Sequence, residues 1–208
     1  MGLLTKMNST TIMTSFLANL ASKKIILASN SPRRQELLRG LELEFEVKVH
    51  PVDETVPPEL PAAYAAAYLS KLKADHFPHP LQDNELLITA DTIVIEKDRI
   101  LGKPSTAEEA FTMLKSLSGS THTVITAVTI KDNKKCVTLE DETQVTLRFI
   151  EEEEIWHYVN NYRPFDKAGS YGIQEWIGFV GVSSIQGSYY TVMGFPLHLV
   201  YQHLKKWV

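Results

Sequence analysis

Ser29-Asn30-Ser31-Pro32-Arg33-Arg34 puts two hydroxyls and two guanidinium forks where an apolar run gives way to a proline. Proline suits the first turn of a helix. The free N–H groups of that turn would then face the same point as the side chains, a cradle for an oxyanion or phosphate. An ordinary helix cap carrying surface arginines is the competing reading. Asp91, followed by Thr92, ends the apolar run Leu86–Ala90. A carboxylate there is costly unless it is paired, hydrogen-bonded or bound to a metal, though a capping aspartate in a satisfied turn would also serve. Lys103, between Gly102 and Pro104, is either an aimed cation or a mobile surface lysine. His122 closes Ser118-Gly-Ser-Thr-His122 and is more simply a core or turn histidine than a catalyst. Phe165–Gln174 alternates charged and amide groups with glycines that permit close backbone approach; aromatic packing around a turn competes with a binding role. Glu151–Glu154 reads as a solvated helix face near a favourable dipole, with no chemistry.

The elements needed to position these groups alternate between strand and helix. Lys24–Ala28 reads as a buried strand, followed by a helix from Pro32 to Arg39 that Gly40 closes. Phe45–Val49 alternates as a half-buried strand, and the proline-rich stretch 51–61 is a loop carrying Asp53, Glu54 and Glu59. A helix is expected over Ala62–His76, with Tyr64, Tyr68, Leu69 and Leu72 on its apolar face. Leu86–Ala90 is a second buried strand that continues through Ile93–Ile95 to a turn at Lys97-Asp98. Ser105 or Thr106 caps a helix over Ala107–Leu117. Thr121–Ile130 and Lys135–Arg148 form a strand pair, and Glu151–Tyr158 is a short helix. The tail offers a strand-like Tyr189–Met193, a turn and a final helix. An α/β fold with a mixed sheet flanked by helices follows, because antiparallel pairs sit among β-α units.

Composition narrows the classes. The 208 residues suit one domain over 23–208, and residues 1–22 read as an extension, loosely ordered or a short helix. One cysteine, Cys136, excludes an internal disulfide and a CxxC metal or redox site. A net charge of −4, evenly spread, argues against a nucleic-acid-coating surface. Any polyanion must therefore meet a local cluster of cations. No stretch approaches a membrane span or a signal-peptide core, so a cytoplasmic protein is expected. GxGxxG, HExxH and GxSxG are absent, Gly102-Lys103-Pro104 lacks the rest of a P-loop, and the histidines lack ligand spacing.

Six blocks in order are similar to the Maf family: Ser-Asn-Ser-Pro-Arg-Arg, Ala-Asp-Thr-Ile-Val, Gly-Lys-Pro, Leu-Ser-Gly-x-x-His, Asp-Lys-Ala-Gly-x-Tyr-Gly-Ile-Gln and Gly-Ser-Tyr-x-x-Val-x-Gly-x-Pro-Leu. The resemblance runs from about Ile25 to Leu204. It implies an inosine-triphosphatase-like (Maf/Ham1-type) fold, a divalent cation (Mg²⁺ or Mn²⁺), and hydrolysis of nucleoside triphosphates to monophosphate and pyrophosphate. Gly172-Ile173-Gln174 resembles the branch acting on dTTP and UTP; the sister branch acting on 7-methyl-GTP is the alternative, and a non-catalytic phosphate-binding module is a third reading. By resemblance Asp91 accepts the proton, Arg33, Thr92 and Gln174 bear on substrate choice, and Lys73, Lys103 and Lys167 meet phosphate. Ser29 and Arg34 belong to the cradle, and Glu54 lies near a metal whose ligands stay unassigned. The departures are Ala127, Thr191 and Phe195, where the family more often has Gly, Asn and Leu. Family members are often dimers, so a homodimer is the expected assembly.

Overall fold

The computed structural model describes residues 16–207. A seven-stranded mixed sheet runs through it in the order β2-β1-β3-β5-β6-β7, with β4 paired to the far end of β3. The strands are β1 (Lys24–Leu27), β2 (Phe45–Val47), β3 (Glu85–Glu96), β4 (Arg99–Leu101), β5 (Thr121–Lys131), β6 (Cys136–Leu147) and β7 (Val182–Gln186). β1 is parallel to β2 and β3, and the remaining pairings are antiparallel. The mixed α/β architecture is thus as the sequence pattern requires.

The register of β1 on β3 creates the opening that matters. β1 pairs with β3 only as far as Leu27 opposite Ile88, and β4 takes up the same edge only at Val94. Between them β3 has no strand neighbour on that side. Asp91 therefore stands in mid-strand rather than at a strand end. Its exposure to the opening comes from the early stop of β1, which Pro32 enforces by starting α1 (Pro32–Arg39). Ser31 caps α1 and its hydroxyl accepts from the Arg34 N–H at 3.4 Å, while Gly40 closes the helix.

Helix α2 (Ala65–Asp75), entered through a 3₁₀ turn at Ala62–Tyr64, lies on β3 and β5. Its buried face is Ala65, Ala66, Leu69, Ser70 and Ala74; of the expected Tyr64, Tyr68, Leu69 and Leu72 only Leu69 is buried, Tyr68 and Leu72 are half-buried, and Tyr64 is exposed. Small side chains let the helix backbone approach the sheet. The Thr89 hydroxyl donates to the Ser70 carbonyl at 2.7 Å, and the Ser70 hydroxyl bonds Thr129 at 2.9 Å. Bulky tyrosines would hold the helix off and break these bonds.

Helix α3 (Ala107–Leu117), capped by Thr106, and α4 (Glu152–Tyr162) cover the second half of the sheet around Leu114, Val145, Ile155 and Ile177. α4 extends one turn beyond its expected end because Tyr158 and Val159 remain buried. The tail departs more sharply from expectation. The edge strand beside β6 is β7, and Tyr189–Val192 is a helical turn, α6, following α5 (Trp176–Gly181). Gly187, at φ +130, turns the chain before it, and the Ser188 N–H donates to the Thr143 hydroxyl at 2.9 Å. Tertiary pairing overrides the strand propensity of Tyr-Tyr-Thr-Val. Helix α7 (Leu197–Leu204) closes the first core cluster with Leu17, Leu20, Leu38 and Trp207. Asn19 donates to the carbonyls of Leu204 and Trp207 at 2.8 Å, so the described end of the 1–22 extension is packed rather than loose; residues 1–15 lie outside the described residues.

Gly178 in α5 sits against the chain that carries Gln174. A methyl there would stand 2.0 Å from the Ile173 carbonyl oxygen, a backbone atom that cannot swing aside. Gly178→Ala should destabilise the fold by about 1–3 kcal/mol, as overpacking does elsewhere, read as a lower urea midpoint at constant slope. An unchanged midpoint would show that this approach is not tight.

Candidate active site

The opening beside β3 is a cleft of two adjoining hollows. The inner one has a cavity volume of about 120 Å³ and the outer one about 340 Å³. Arg33, Arg34, Lys73, Lys103, Ser31 and Asp166 line both hollows. Asp91, Thr92, Lys167, Tyr171, Gly172 and Gln174 line only the inner one, and Ser29, Asn30, His50 and Glu54 only the outer. The residues that the resemblance and the cradle single out thus border adjoining hollows with a shared lining, whereas His122 lines neither.

Asp91 is 8% exposed, and its Oδ1 accepts from Lys73 Nζ at 2.6 Å. Lys73 reaches down from α2 three residues after Ser70, and it also pairs with Glu54 at 3.1 Å. One ammonium thus joins two carboxylates. Asp91 Oδ2 accepts no hydrogen bond from a described residue. Among the described residues no group of three or more His, Cys, Asp or Glu side chains could hold a metal. Two carboxylates at one point nevertheless fit a hard cation that keeps waters and takes the rest of its ligands from phosphate oxygens.

The two arginines divide. Arg34 spends its fork on the protein: Nη1 donates to the Ala90 carbonyl at 2.8 Å, Nε to Gly194 at 3.0 Å, and Nη2 to the Thr92 hydroxyl at 3.0 Å. Burial lowers its pKa from the usual arginine value, against the attraction of Asp91. Arg33 points across the cleft to Asp166, 2.9 Å away. Asp166 also accepts from Lys167 at 2.8 Å. Partial burial pushes the Asp166 carboxyl up, but the bonds from Lys167 and Arg33 outweigh it and hold it below the usual range. Lys167 is buried and also pairs with Glu175 at 3.1 Å. Lys103 is exposed at the cleft and has no ion pair among the described residues.

The far wall is hydrogen-bonded and aromatic. Tyr158 donates to Glu175 and accepts from the Gly172 N–H at 3.0 Å. Burial, helped by the Glu175 bond, pushes the Tyr158 phenol pKa up. Tyr171 meets His122 Nε2 at 2.7 Å with the rings edge to face. Burial brings His122 down to about 4, so it is a neutral core histidine. Gln174 lines the cleft, and its Oε1 is buried without a donor. Ser29 is buried and its Oγ accepts from the Ser31 N–H at 3.2 Å, which leaves its own proton free. Sequence reasoning missed Asp166 and Glu175 as members of the site. Asp166 carried a signal, an acid beside Lys167 in a block already noted; Glu175 carried none, because only the fold brings it to Lys167.

A family model described as Maf-like protein matches residues 24–207. The chain is 49% identical over 185 residues to a dTTP/UTP pyrophosphatase of Flavobacterium johnsoniae, covering 89% of this chain and 95% of that one. It is 48% identical to proteins of the same name from Parabacteroides distasonis and Bacteroides thetaiotaomicron, over 91% of this chain and 98% and 99% of theirs. Among solved structures, the Staphylococcus aureus Ham1 protein matches with a TM-score of 0.43 at 14% identity, over 60% of this chain and 72% of that one.

Arg33→Lys keeps the charge but loses the planar fork. It should weaken binding of inorganic pyrophosphate by about 1.5–3 kcal/mol, the range for charged hydrogen bonds, as titration calorimetry would show. Equal affinities would mean that Arg33 is not a fork on phosphate.

Proposed function

The chain belongs to the Maf family, and on that premise we propose that it hydrolyses nucleoside triphosphates, dTTP and UTP foremost, to the monophosphate and pyrophosphate. One observation carries the reading. A carboxylate with an open oxygen, Asp91, stands among Arg33, Lys73 and Lys103 in a single cleft. Pure phosphate binding has no use for that carboxylate, which would repel an anion. A hydrolase needs it.

Asp91 takes the proton of the attacking water as the water oxygen bonds to the α-phosphorus. The bond from that phosphorus to the α–β bridging oxygen breaks, and pyrophosphate leaves with the electron pair. Lys73 and Lys103 neutralise the phosphate oxygens, and Arg33 exchanges its partner Asp166 for them. Ser29 and the start of α1 offer donors to the leaving group. Arg34 and Lys167, whose charges are committed to protein acceptors, hold the walls of the cleft. Asp91 and Glu54 would hold a divalent cation, Mg²⁺ or Mn²⁺, which when bound would supply further charge neutralisation. The lone exposed cysteine, Cys136, and the even charge support a cytoplasmic setting. No helix among the described residues is long and apolar enough to cross a membrane.

Base choice falls to the wall of Tyr171, Gly172 and Gln174. The Gln174 amide pairs an acceptor with a donor, complementing the N3–H and O4 edge that uracil and thymine share. Its Oε1 lacks a protein donor and awaits one from the ligand. The relatives named dTTP/UTP pyrophosphatase favour this over the 7-methyl-GTP alternative.

Two measurements test the reading. Asp91→Asn should fold normally and lose turnover by at least ~100-fold; near-normal release of pyrophosphate by a folded variant would remove Asp91 from the mechanism. In a nucleotide panel with Mg²⁺ or Mn²⁺, dTTP and UTP should exceed CTP, ATP and GTP, chelator should stop turnover, and Gln174→Ala should flatten the ranking. A panel led by GTP or a methylated GTP would overturn the pyrimidine assignment.

A further inference from the structure

Thr126 is fully buried in β5 and does not line the cleft. Its hydroxyl nevertheless ends a chain that begins at Arg34. Arg34 Nη2 donates to Thr92 Oγ1 at 3.0 Å, Thr92 Oγ1 lies 3.0 Å from Thr126 Oγ1, and Thr126 Oγ1 donates to the Thr191 carbonyl at 2.7 Å. Each hydroxyl has one proton. The Thr191 carbonyl can only accept, so the Thr126 proton is committed to it. The Thr92 proton must then point at Thr126, because the arginine can only donate. One proton arrangement satisfies all three bonds. The Thr191 hydroxyl donates in turn to Asp141, which anchors the α6 turn at the end of the chain.

From this polarity we infer that Thr126 is a positioning residue that fixes Thr92 as a hydrogen-bond acceptor toward the substrate. With its proton committed and one lone pair taken by Arg34, the cleft-lining Thr92 has an acceptor left and no donor. It cannot bind a bare phosphate oxygen. It fits an O–H or N–H of the nucleoside, and because the N3–H of the base is matched to Gln174, a hydroxyl of the sugar is the donor expected. The inference rests on the pyrophosphatase reading for its substrate and on the hydrogen-bond chain for its mechanism.

The test is Thr126→Val, which keeps the shape and removes both bonds. Thr92 is then free to turn its proton into the cleft, against the substrate donor. Loss of one contact made equally in ground and transition states should raise the KM for dTTP about tenfold with little change in kcat. Thr126→Ser should restore it, and Thr126→Cys should fall between. Thr129→Val is the control: Thr129 is equally buried on the same strand but bonds Ser70 and Thr138, away from the cleft. It should lower the melting temperature without moving KM. Calorimetric titration with dTMP reads the same contact without turnover, so an inactive wild type would sink the catalytic reading alone. N3-methyl-dTTP and dideoxy-TTP identify the donor, since the analogue lacking it should be insensitive to Thr126→Val. The inference fails if KM and dTMP affinity are unmoved in Thr126→Val, if Thr129→Val moves them equally, or if both analogues stay as sensitive as dTTP.

Discussion

The short reach of β1 is the constraint on which the site depends. Where β1 stops at Leu27, β3 continues with carbonyls that no strand can satisfy on that side. The Ala28 N–H reaches Ile88 at 2.9 Å, and two residues on the Ala90 carbonyl takes the Arg34 guanidinium instead of a strand partner. A buried carbonyl left unpaired would cost about 1–3 kcal/mol. Arg34 meets that need, and the same planar fork ties β3 to the Gly194 turn. A guanidinium is narrower than a strand, so the sheet is closed electrostatically while a cleft stays open above Asp91. The proposed phosphate site lies where the sheet pairing is interrupted.

The cations around the cleft are held in two ways, and the difference matters for binding. Arg33 pairs with Asp166, whose side chain is 57% exposed. Exposed pairs of this kind contribute about 0–1 kcal/mol, so a phosphate can take Arg33 over at little cost. Lys73 and Asp91 are 16% and 12% exposed at 2.6 Å. Breaking a pair held this far from water is dearer, on the order of several kcal/mol where burial is complete. On the proposed function, Arg33 is therefore the cation that exchanges partners most readily, while the Lys73–Asp91 pair is the costlier one to break. In a chain of net charge −4, Asp91, Glu54 and Asp166 hold Lys73 and Arg33 along the cleft that the proposed function gives to a polyanion.

Local signals in the sequence were read faithfully where local physics decides. Pro32 and Gly40 bound α1, Thr106 caps α3, and the long apolar runs became β3, β5 and β6. The cradle, Lys103 and the Gln174 block could be found because a strand end and glycine-flanked charges are visible along the chain, and Asp91 because a lone carboxylate interrupts an apolar run, although the strand continues through it. The rest was decided across it. The buried face of α2 is set by hydroxyl bonds to Thr89 and Thr129, which favour Ala and Ser over the tyrosines that an apolar periodicity selects. Tyr189–Val192 is helical because β7 already occupies the β6 edge. The commitment of Arg34 to carbonyls has no trace in spacing, since Ala90 and Gly194 are remote in sequence, and the pairing of Lys167 with Glu175, eight residues on, depends on the turn between them rather than on a helix or strand period.

The two ends of the cleft also differ in how they respond to protons. The wall beside Gln174 is built from phenols whose pKa values are raised by burial and from His122, which burial lowers from 6.5 to about 4. None of these changes charge near neutrality, so the base recognition proposed for this wall would be insulated from pH there. His122 carries a cost in acid. In the unfolded chain it takes up a proton below about 6.5, whereas in the fold it stays neutral until about 4. Between those values the unfolded state binds the extra proton and the fold loses stability as pH falls. Below about 4 this contribution levels off. The same burial that fixes Tyr171 against His122 thus makes the wall a weak point of the fold in acid.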